Sequence, residues 1–235
     1  MVKNKSLLLP LLLITNLIGP INAAPRLTHF AFGSASVLPV IMHNNEKCVI
    51  LSREAFGGAR GTYDDFGGSR DKGERHPVVT AAREFYEEAI LQKTIGLNVQ
   101  QVQNYIDISK TNNTKYIVGY SQGRVKNVTY ITHFDQHKTE FFNNFYPARR
   151  RATDHHLREK DRIAIVKWQV LTKTFAKSRN TRNVKIEALV MNPITQKWYK
   201  SYVTLRAFFI KKLRPFFLDR PYEPGMDPKI RFYNE

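Results

Sequence analysis

Two short apolar runs, Val37-Leu38-Pro39-Val40-Ile41-Met42 and Cys48-Val49-Ile50-Leu51, flank the polar segment His43-Asn44-Asn45-Glu46-Lys47. Runs of that length around a polar loop predict a β-hairpin. Tyr63-Asp64-Asp65-Phe66 reads as a further short strand that delivers the chain into Gly67-Gly68. The period then changes. Val78, Ala81, Ala82, Phe85 and Ala89 recur at helical spacing. Pro77 stands where a first helical turn tolerates it, because its missing N–H would have had no partner there. A strand, a glycine loop and a helix are therefore expected in that order.

Downstream the pattern predicts strands over Val99–Ile108, Lys115–Tyr120 and Asn127–Phe134, with turns at 111–113 and 121–123. Phe141–Tyr146 is aromatic and ends at Pro147, as a short helix or a packing loop. Ile163–Trp168 and Val184–Met191 read as strands, the second turning at Asn192-Pro193. Leu205–Leu213 is expected to form a helix with Phe208 and Phe209 inward, and from Pro215 the prolines suggest an extended tail over residues 215–235. There is no internal repeat, low-complexity linker or second-domain boundary, so residues 25–214 are expected to form one α/β domain.

The polar face of the first helix carries the chemistry. In Arg83-Glu84-Phe85-Tyr86-Glu87-Glu88, three carboxylates sit at i, i+3 and i+4, on one helical face with Cβ atoms about 5–6 Å apart. Like charges so close repel unless a cation joins them, and hard divalent ions favour carboxylate oxygens. A solvated acidic face is the commoner origin of such clusters, but here Gly67-Gly68 and Gly73-Glu74 lead into the helix. Tight turns at glycines can bring backbone oxygens to the same place.

Taken together, Gly68–Leu91 resembles the Nudix box, G-x5-E-x7-R-E-U-x-E-E-x-G-U, where U is a bulky apolar residue. Two departures stand out. Eight residues rather than seven separate Glu74 from Arg83, and Ile90 stands where the pattern has glycine. Without that glycine the helix is expected to run on toward Lys93 and stop near Gly96.

The resemblance implies a Nudix-type α/β/α sandwich with a mixed central sheet. It implies hydrolysis of a pyrophosphate bond in a nucleoside diphosphate linked to another moiety, with Mg²⁺ or Mn²⁺ neutralising charge on the phosphoryl oxygens. By position in the motif, Glu87 and Glu88 would be metal ligands and Glu84 a ligand or the base that activates water. Arg83 would orient these carboxylates and Glu74 would brace the loop. A carbonyl of Gly67 or Gly68 would complete the metal shell, and Glu159 or Asp161, before a later strand, would add a carboxylate. The family's substrates include nucleotide sugars, dinucleotide polyphosphates, oxidised nucleotides, coenzymes and capped RNA, and nothing in the motif chooses among them.

Charge and the N-terminus add to this picture. The chain is +17 overall, and residues 25–140 are nearly balanced, with 14 basic and 12 acidic residues. Residues 141–235 hold 21 basic and 8 acidic residues, with clusters at Arg149-Arg150-Arg151, 177–185 and 211–214. A basic surface beside an acidic site suits a phosphorylated small molecule or capped RNA, and suits nucleic acid in general. A Nudix-shaped module that holds a polyanion without turnover is the alternative to an enzyme. Lys3 and Lys5, the apolar stretch from Leu7 to Ile18 and Ile21-Asn22-Ala23-Ala24-Pro25 form a signal-peptide pattern over residues 1–24, with cleavage near Ala23 or Ala24 and a secreted or periplasmic destination. No later apolar stretch is long enough to cross a bilayer. Cys48, the single cysteine, lies in an apolar run and is expected to be buried rather than reactive.

Overall fold

The computed structural model describes residues 31–107, 114–121, 124–177, 184–218 and 230–233. The signal-peptide segment, the turn expected at 111–113 and most of that at 121–123 lie outside them. The expected hairpin forms between β1 (Ser34–His43) and β2 (Glu46–Glu54), with His43 opposite Glu46. Its two-residue turn, Asn44-Asn45, has φ of 50° and 61°. Positive φ at both positions matches the right-handed twist of the strands, and asparagine accepts it at modest cost.

The continuous apolar runs reflect burial on both faces. Val37, Ile41, Cys48 and Ile50 enter one core, while Leu38, Val40, Val49 and Leu51 enter another. β7 (Lys160–Lys167) alternates likewise, Ile163 and Ile165 one way and Ala164 and Val166 the other. The sheet runs β10 (Ile230–Tyr233), β5 (Thr114–Ser121), β6 (Arg124–His133), β1, β2, β7, β8 (Lys185–Met191), β9 (Trp198–Thr204). β1 and β6 are parallel and the other neighbours antiparallel, so the sheet is mixed. Helices α1 (Pro77–Glu88), α2 (Leu91–Ile95), α3 (Val99–Ile106) and α4 (Lys138–Arg151) bury their apolar faces in the first core. α5 (Trp168–Lys177) and α6 (Ala207–Leu218) close the second. The molecule is an α/β/α sandwich with a mixed central sheet.

The strand expected at Tyr63–Phe66 divides at Asp65. β3 (Tyr63–Asp64) pairs with β2 and β4 (Phe66–Ser69) with β1, filling the fork where those two strands part. This split carries Gly67 and Gly68 to the base of α1.

Four other expectations are corrected. Val99–Ile106 is a helix, not a strand: Asn98 caps it in a capping box with Gln101, and Val102 and Ile106 at i and i+4 are buried. α4 passes through Pro147, since the packing of Phe141, Phe142, Phe145, Tyr146 and Ala148 outweighs one lost backbone hydrogen bond. α6 runs through Pro215 to Leu218 in place of a tail beginning there, and β10 then joins the sheet beside β5. Phe209 is buried but Phe208 is 44% exposed: adjacent helical residues point about 100° apart, and the core side of α6 is taken by Phe209, Ile210 and Leu213. The pattern also gave no warning of α5 or β9. Cys48 is buried, as its run suggests.

Candidate active site

α1 places its carboxylates at its C-terminal end, where backbone carbonyls point outward and the helix dipole disfavours negative charge. Something other than helix stability keeps them there. The helix does not run on toward Lys93. It ends at Glu88, and Ile90 takes the left-handed conformation, φ 55° and ψ 43°, that glycine adopts most easily. Ile90 is 2% exposed and packed in the core, which holds a branched residue in a region it rarely visits. α2 then starts at Leu91 and stops at Gly96, whose φ is 71°.

Arg83 organises the outer part of the site. Its Nε donates to Glu74 Oε1 at 2.9 Å, and one terminal nitrogen donates to the carbonyl of Ser69 at 2.9 Å. The other lies 2.9 Å from Glu84 Oε1 and 3.3 Å from Glu87 Oε2. The extra residue before Arg83 is therefore absorbed without separating it from Glu74. Glu74 also accepts from Thr80 Oγ1 at 2.5 Å and from the amide of Asp71 at 2.9 Å. Burial alone would raise its pKa, but these bonds, Arg83's above all, outweigh it and hold Glu74 below the usual carboxylate range.

The glycines are there for close approach. A Cβ on Gly68 would lie 2.5 Å from Glu84 Oε1, and one on Gly67 would overlap Ser36. The amide of Gly67 donates to Glu88 Oε2 at 2.7 Å. Glu88 Oε1 lies 3.1 Å from Lys160 Nζ, which is 2.6 Å from Glu54 Oε1. The chain of charges continues inward. Arg206 joins Glu54 (3.2 Å) to Asp64 (3.1 Å), and Lys212 contacts Asp65 at 2.5 Å and Asp64 at 3.7 Å. Ser36 donates to Asp65 at 2.7 Å and bonds Thr129 at 2.9 Å. An ionic network, half-exposed at Arg206 and otherwise mostly buried, thus ties α6 to the C-terminal end of α1.

Burial pushes the Glu84 carboxyl up to about 7, against the pull of Arg83. Glu87 is raised by burial as well, though less deeply set. Burial opposes the charge on Lys160, but Glu88 and Glu54 outweigh it and hold the ammonium protonated. Burial also pushes Glu88 upward. Its two oxygens nonetheless each accept from a donor, one from Gly67 and one from Lys160, which is the geometry of an ionised carboxylate.

These groups open on a cleft of about 550 Å³ whose walls include Glu54, Gly67, Gly68, Arg83, Glu84, Glu87, Glu88, Glu159 and Arg206. Of the two later carboxylates, Glu159 reaches the cleft, where its Oε1 lies 3.1 Å from Nδ1 of the exposed His156. Asp161 does not; it pairs with Arg53 through contacts of 2.7 and 2.5 Å. Glu54, Lys160 and Arg206 were not expected here. No motif spacing marks them, and Lys160 stands in the charged run Arg158-Glu159-Lys160-Asp161-Arg162, which gives no sign that it is buried. The donor set suits a hard divalent ion. Glu84, Glu87 and the Gly68 carbonyl offer oxygen, and Glu84 is pressed against a glycine that leaves it room, with Arg83 as its ion-pair partner among the described residues. Glu159 is grouped instead with His155 and His156, the three ligand atoms lying within 4.8 Å of one another.

No family model matches the chain, and no curated protein matches it. Solved structures similar to it include three Nudix proteins. A MutT/nudix family protein from Enterococcus faecalis is 12% identical, with a TM-score of 0.42, covering 82% of this chain and 62% of its own. The NUDIX domain of Shewanella oneidensis NrtR, complexed with ADP ribose, is 11% identical with a TM-score of 0.36, over 65% of this chain and 82% of its own. A C. elegans Ap4A hydrolase is 12% identical with a TM-score of 0.34, over 60% and 82%. Likeness of this degree says nothing about activity. No helix among the described residues is long and apolar enough to cross a membrane.

Proposed function

We propose that this chain is a metal-dependent hydrolase of the Nudix type, cleaving a pyrophosphate bond in a nucleoside-diphosphate-linked substrate. What supports the reading is the convergence of Glu84 and Glu87 on one cleft with Gly68, Glu159 and the Arg83–Glu74 brace, despite two departures from the box sequence. Glu84, Glu87 and Glu159 would hold Mg²⁺ or Mn²⁺, with Glu88 behind them. A bound ion supplies charge neutralisation at the phosphoryl oxygens and lowers the pKa of a nearby water.

The chain's own groups do the rest. Arg83 fixes the rotamers of Glu84 and Glu87 by charge-assisted hydrogen bonds, so both aim into the cleft. Glu84, raised toward neutrality, takes a proton from the attacking water or serves as a ligand. Arg206, 40% exposed at its side chain, offers positive charge to the departing phosphate. The basic second half attracts a phosphorylated small molecule or a capped RNA, and can bring nucleic acid to the same face.

Incubating the protein with a panel of nucleotide pyrophosphates and capped RNA, with Mg²⁺ or Mn²⁺, tests this directly. Cleavage of at least one member, abolished by chelation, is the expected result. Divalent-ion binding and product both absent would leave a polyanion-binding module. We further propose export through residues 1–24, and mass spectrometry of natively expressed protein should find a chain starting near Ala24 or Pro25. An intact Met1 in a soluble cytosolic pool would overturn that.

A further inference from the structure

We propose that Lys160 serves this site as a built-in cation, holding Glu54 and Glu88 and confining divalent ions to the outer carboxylates Glu84, Glu87 and Glu159. The inference rests on the metal-site reading above and deepens it, because it assigns different tasks to carboxylates that the motif treats alike.

Lys160 is 1% exposed, and its ammonium lies 2.6 Å from Glu54 and 3.1 Å from Glu88. The second oxygen of Glu88 is occupied by the Gly67 amide, and the oxygen of Glu54 that meets Lys160 also meets Arg206. An ion bound directly to Glu88 would need contacts of about 2.0–2.2 Å for Mg²⁺ or Mn²⁺. It would have to displace an ammonium already seated there and repelling it. The Glu88 side chain is 4% exposed, leaving little access for such an exchange, whereas Glu87 is 28% exposed.

The backbone places Lys160 firmly. It opens β7 opposite Glu54, next to a register shift between Arg53 and Glu54, and its carbonyl accepts from Arg149 Nε at 2.7 Å. That shift turns a strand-end lysine inward, and Arg149 keeps the strand from sliding out. Lys160 is a positioning residue: it fixes Glu88, which fixes Gly67, which sets the glycine pair against Glu84.

The test is Mn²⁺ titration of the full chain, read as stoichiometry and affinity by calorimetry. Glu84→Gln and Glu87→Gln should each weaken Mn²⁺ binding at least tenfold. Glu88→Gln should leave affinity within about threefold and stoichiometry unchanged, since its side chain is not a ligand. The amide oxygen keeps one of the two donors, and the amide nitrogen facing the other costs stability rather than Mn²⁺ affinity. Lys160→Met should bind one more Mn²⁺ than wild type, between Glu54 and Glu88. Loss of Mn²⁺ binding in Glu88→Gln as severe as in Glu84→Gln would overturn the inference while leaving the metal site standing. So would unchanged stoichiometry in a folded Lys160→Met. If Lys160→Met fails to fold, Glu88→Gln decides. Wild type that binds no Mn²⁺ removes the metal reading; a Lys160→Met that binds one even then supports the role of Lys160, and one that binds none ends both.

Discussion

The two ends of one acidic helix face differ sharply. Glu88 is buried, with one oxygen on a backbone amide and the other on a lysine that is itself 1% exposed. Glu84 and Glu87, four and one positions earlier on the same helix, share a single arginine and look into a cleft. Residue type and helix position are alike, so neither decides the role. The partner decides, and for Glu88 it comes from a strand more than seventy residues away. The comparison separates a buried, fully partnered inner end from an outer end open on the cleft, and each can be broken separately.

The largest expected effect is at the inner end. Lys160→Met leaves Glu88 buried without its cation and Glu54 with Arg206 alone, and losing one partner of a buried pair costs about 3–5 kcal/mol. Urea unfolding with chelator present should register it. Adding Glu88→Gln should recover part of the loss, giving a coupling that a purely steric effect of methionine would not. If the double variant is simply the sum of the singles, Lys160 and Glu88 are not acting as a pair.

Next comes the outer end. Glu84→Gln and Glu87→Gln should each lower turnover by more than about 100-fold, since even partners of metal ligands are worth 10–100-fold. Both should keep the wild-type far-ultraviolet circular dichroism and unfold with the same cooperativity. Wild-type turnover in either variant would place the chemistry elsewhere.

Much of this arrangement was legible beforehand, and the illegible part has a physical reason. The hairpin, the glycine loop, α1 and its apolar stripe follow from local periodicity and turn chemistry, which depend on near neighbours in sequence. The grouping of Arg83, Glu84, Glu87 and Glu74 is implied by the resemblance to the Nudix box rather than by periodicity. Two local signals were misread. The Asn98–Gln101 capping box marks a helix that apolar content alone made look like a strand. Ile90 was expected to continue α1, but a core that buries its side chain can hold it left-handed where no isolated helix would. Glu54, Lys160, Arg206 and Lys212 could not be assigned from spacing at all. They meet only because β2, β7 and α6 pack together, and pairing across the sheet is long-range information.

A smaller effect concerns pH. Glu84 is raised from 4.5 to about 7, chiefly by burial. Burial pushes Asp65 up as well, but Ser36 and Lys212 donate to its two oxygens, the geometry of an ionised carboxylate, so Glu84 carries the expectation. A carboxyl raised on folding binds more protons folded than unfolded. Its stabilising contribution is fully present below the unfolded value and is lost as pH rises through about 7. Metal-free protein should therefore melt lower at pH 8 than at pH 5. The difference should be about 1–3 kcal/mol, at about 1.4 kcal/mol per unit tempered by Arg83. Mn²⁺ should narrow or reverse it, because metal and proton compete for the same carboxylate. Thermal melts with chelator and with Mn²⁺ at the two pH values are the check. Melting that rises with pH in chelator would mean Glu84 is ionised at little cost.

The smallest effect separates the arginines that were grouped by sequence. Arg149 donates to the carbonyls of Lys160 and Arg158, at 2.7 and 3.4 Å, so it belongs with the inner end. Arg150 and Arg151 are exposed, and Arg150 bonds the carbonyl of Pro193 at 3.0 Å. Replacing Arg150 and Arg151 by Gln should weaken apparent substrate affinity a few-fold while leaving turnover near wild type, if that surface steers a polyanion. Steering fades with salt, because the Debye length falls from about 10 Å at 0.1 M to about 3 Å at 1 M. Wild-type catalytic efficiency should then drop as salt rises, and the double variant should drop less. Arg149→Gln should instead lower stability, with a salt dependence like that of wild type, since what it loses is a grip on the strand that carries Lys160. Equal salt sensitivity in wild type and the double variant would make those two arginines a solvated surface and nothing more.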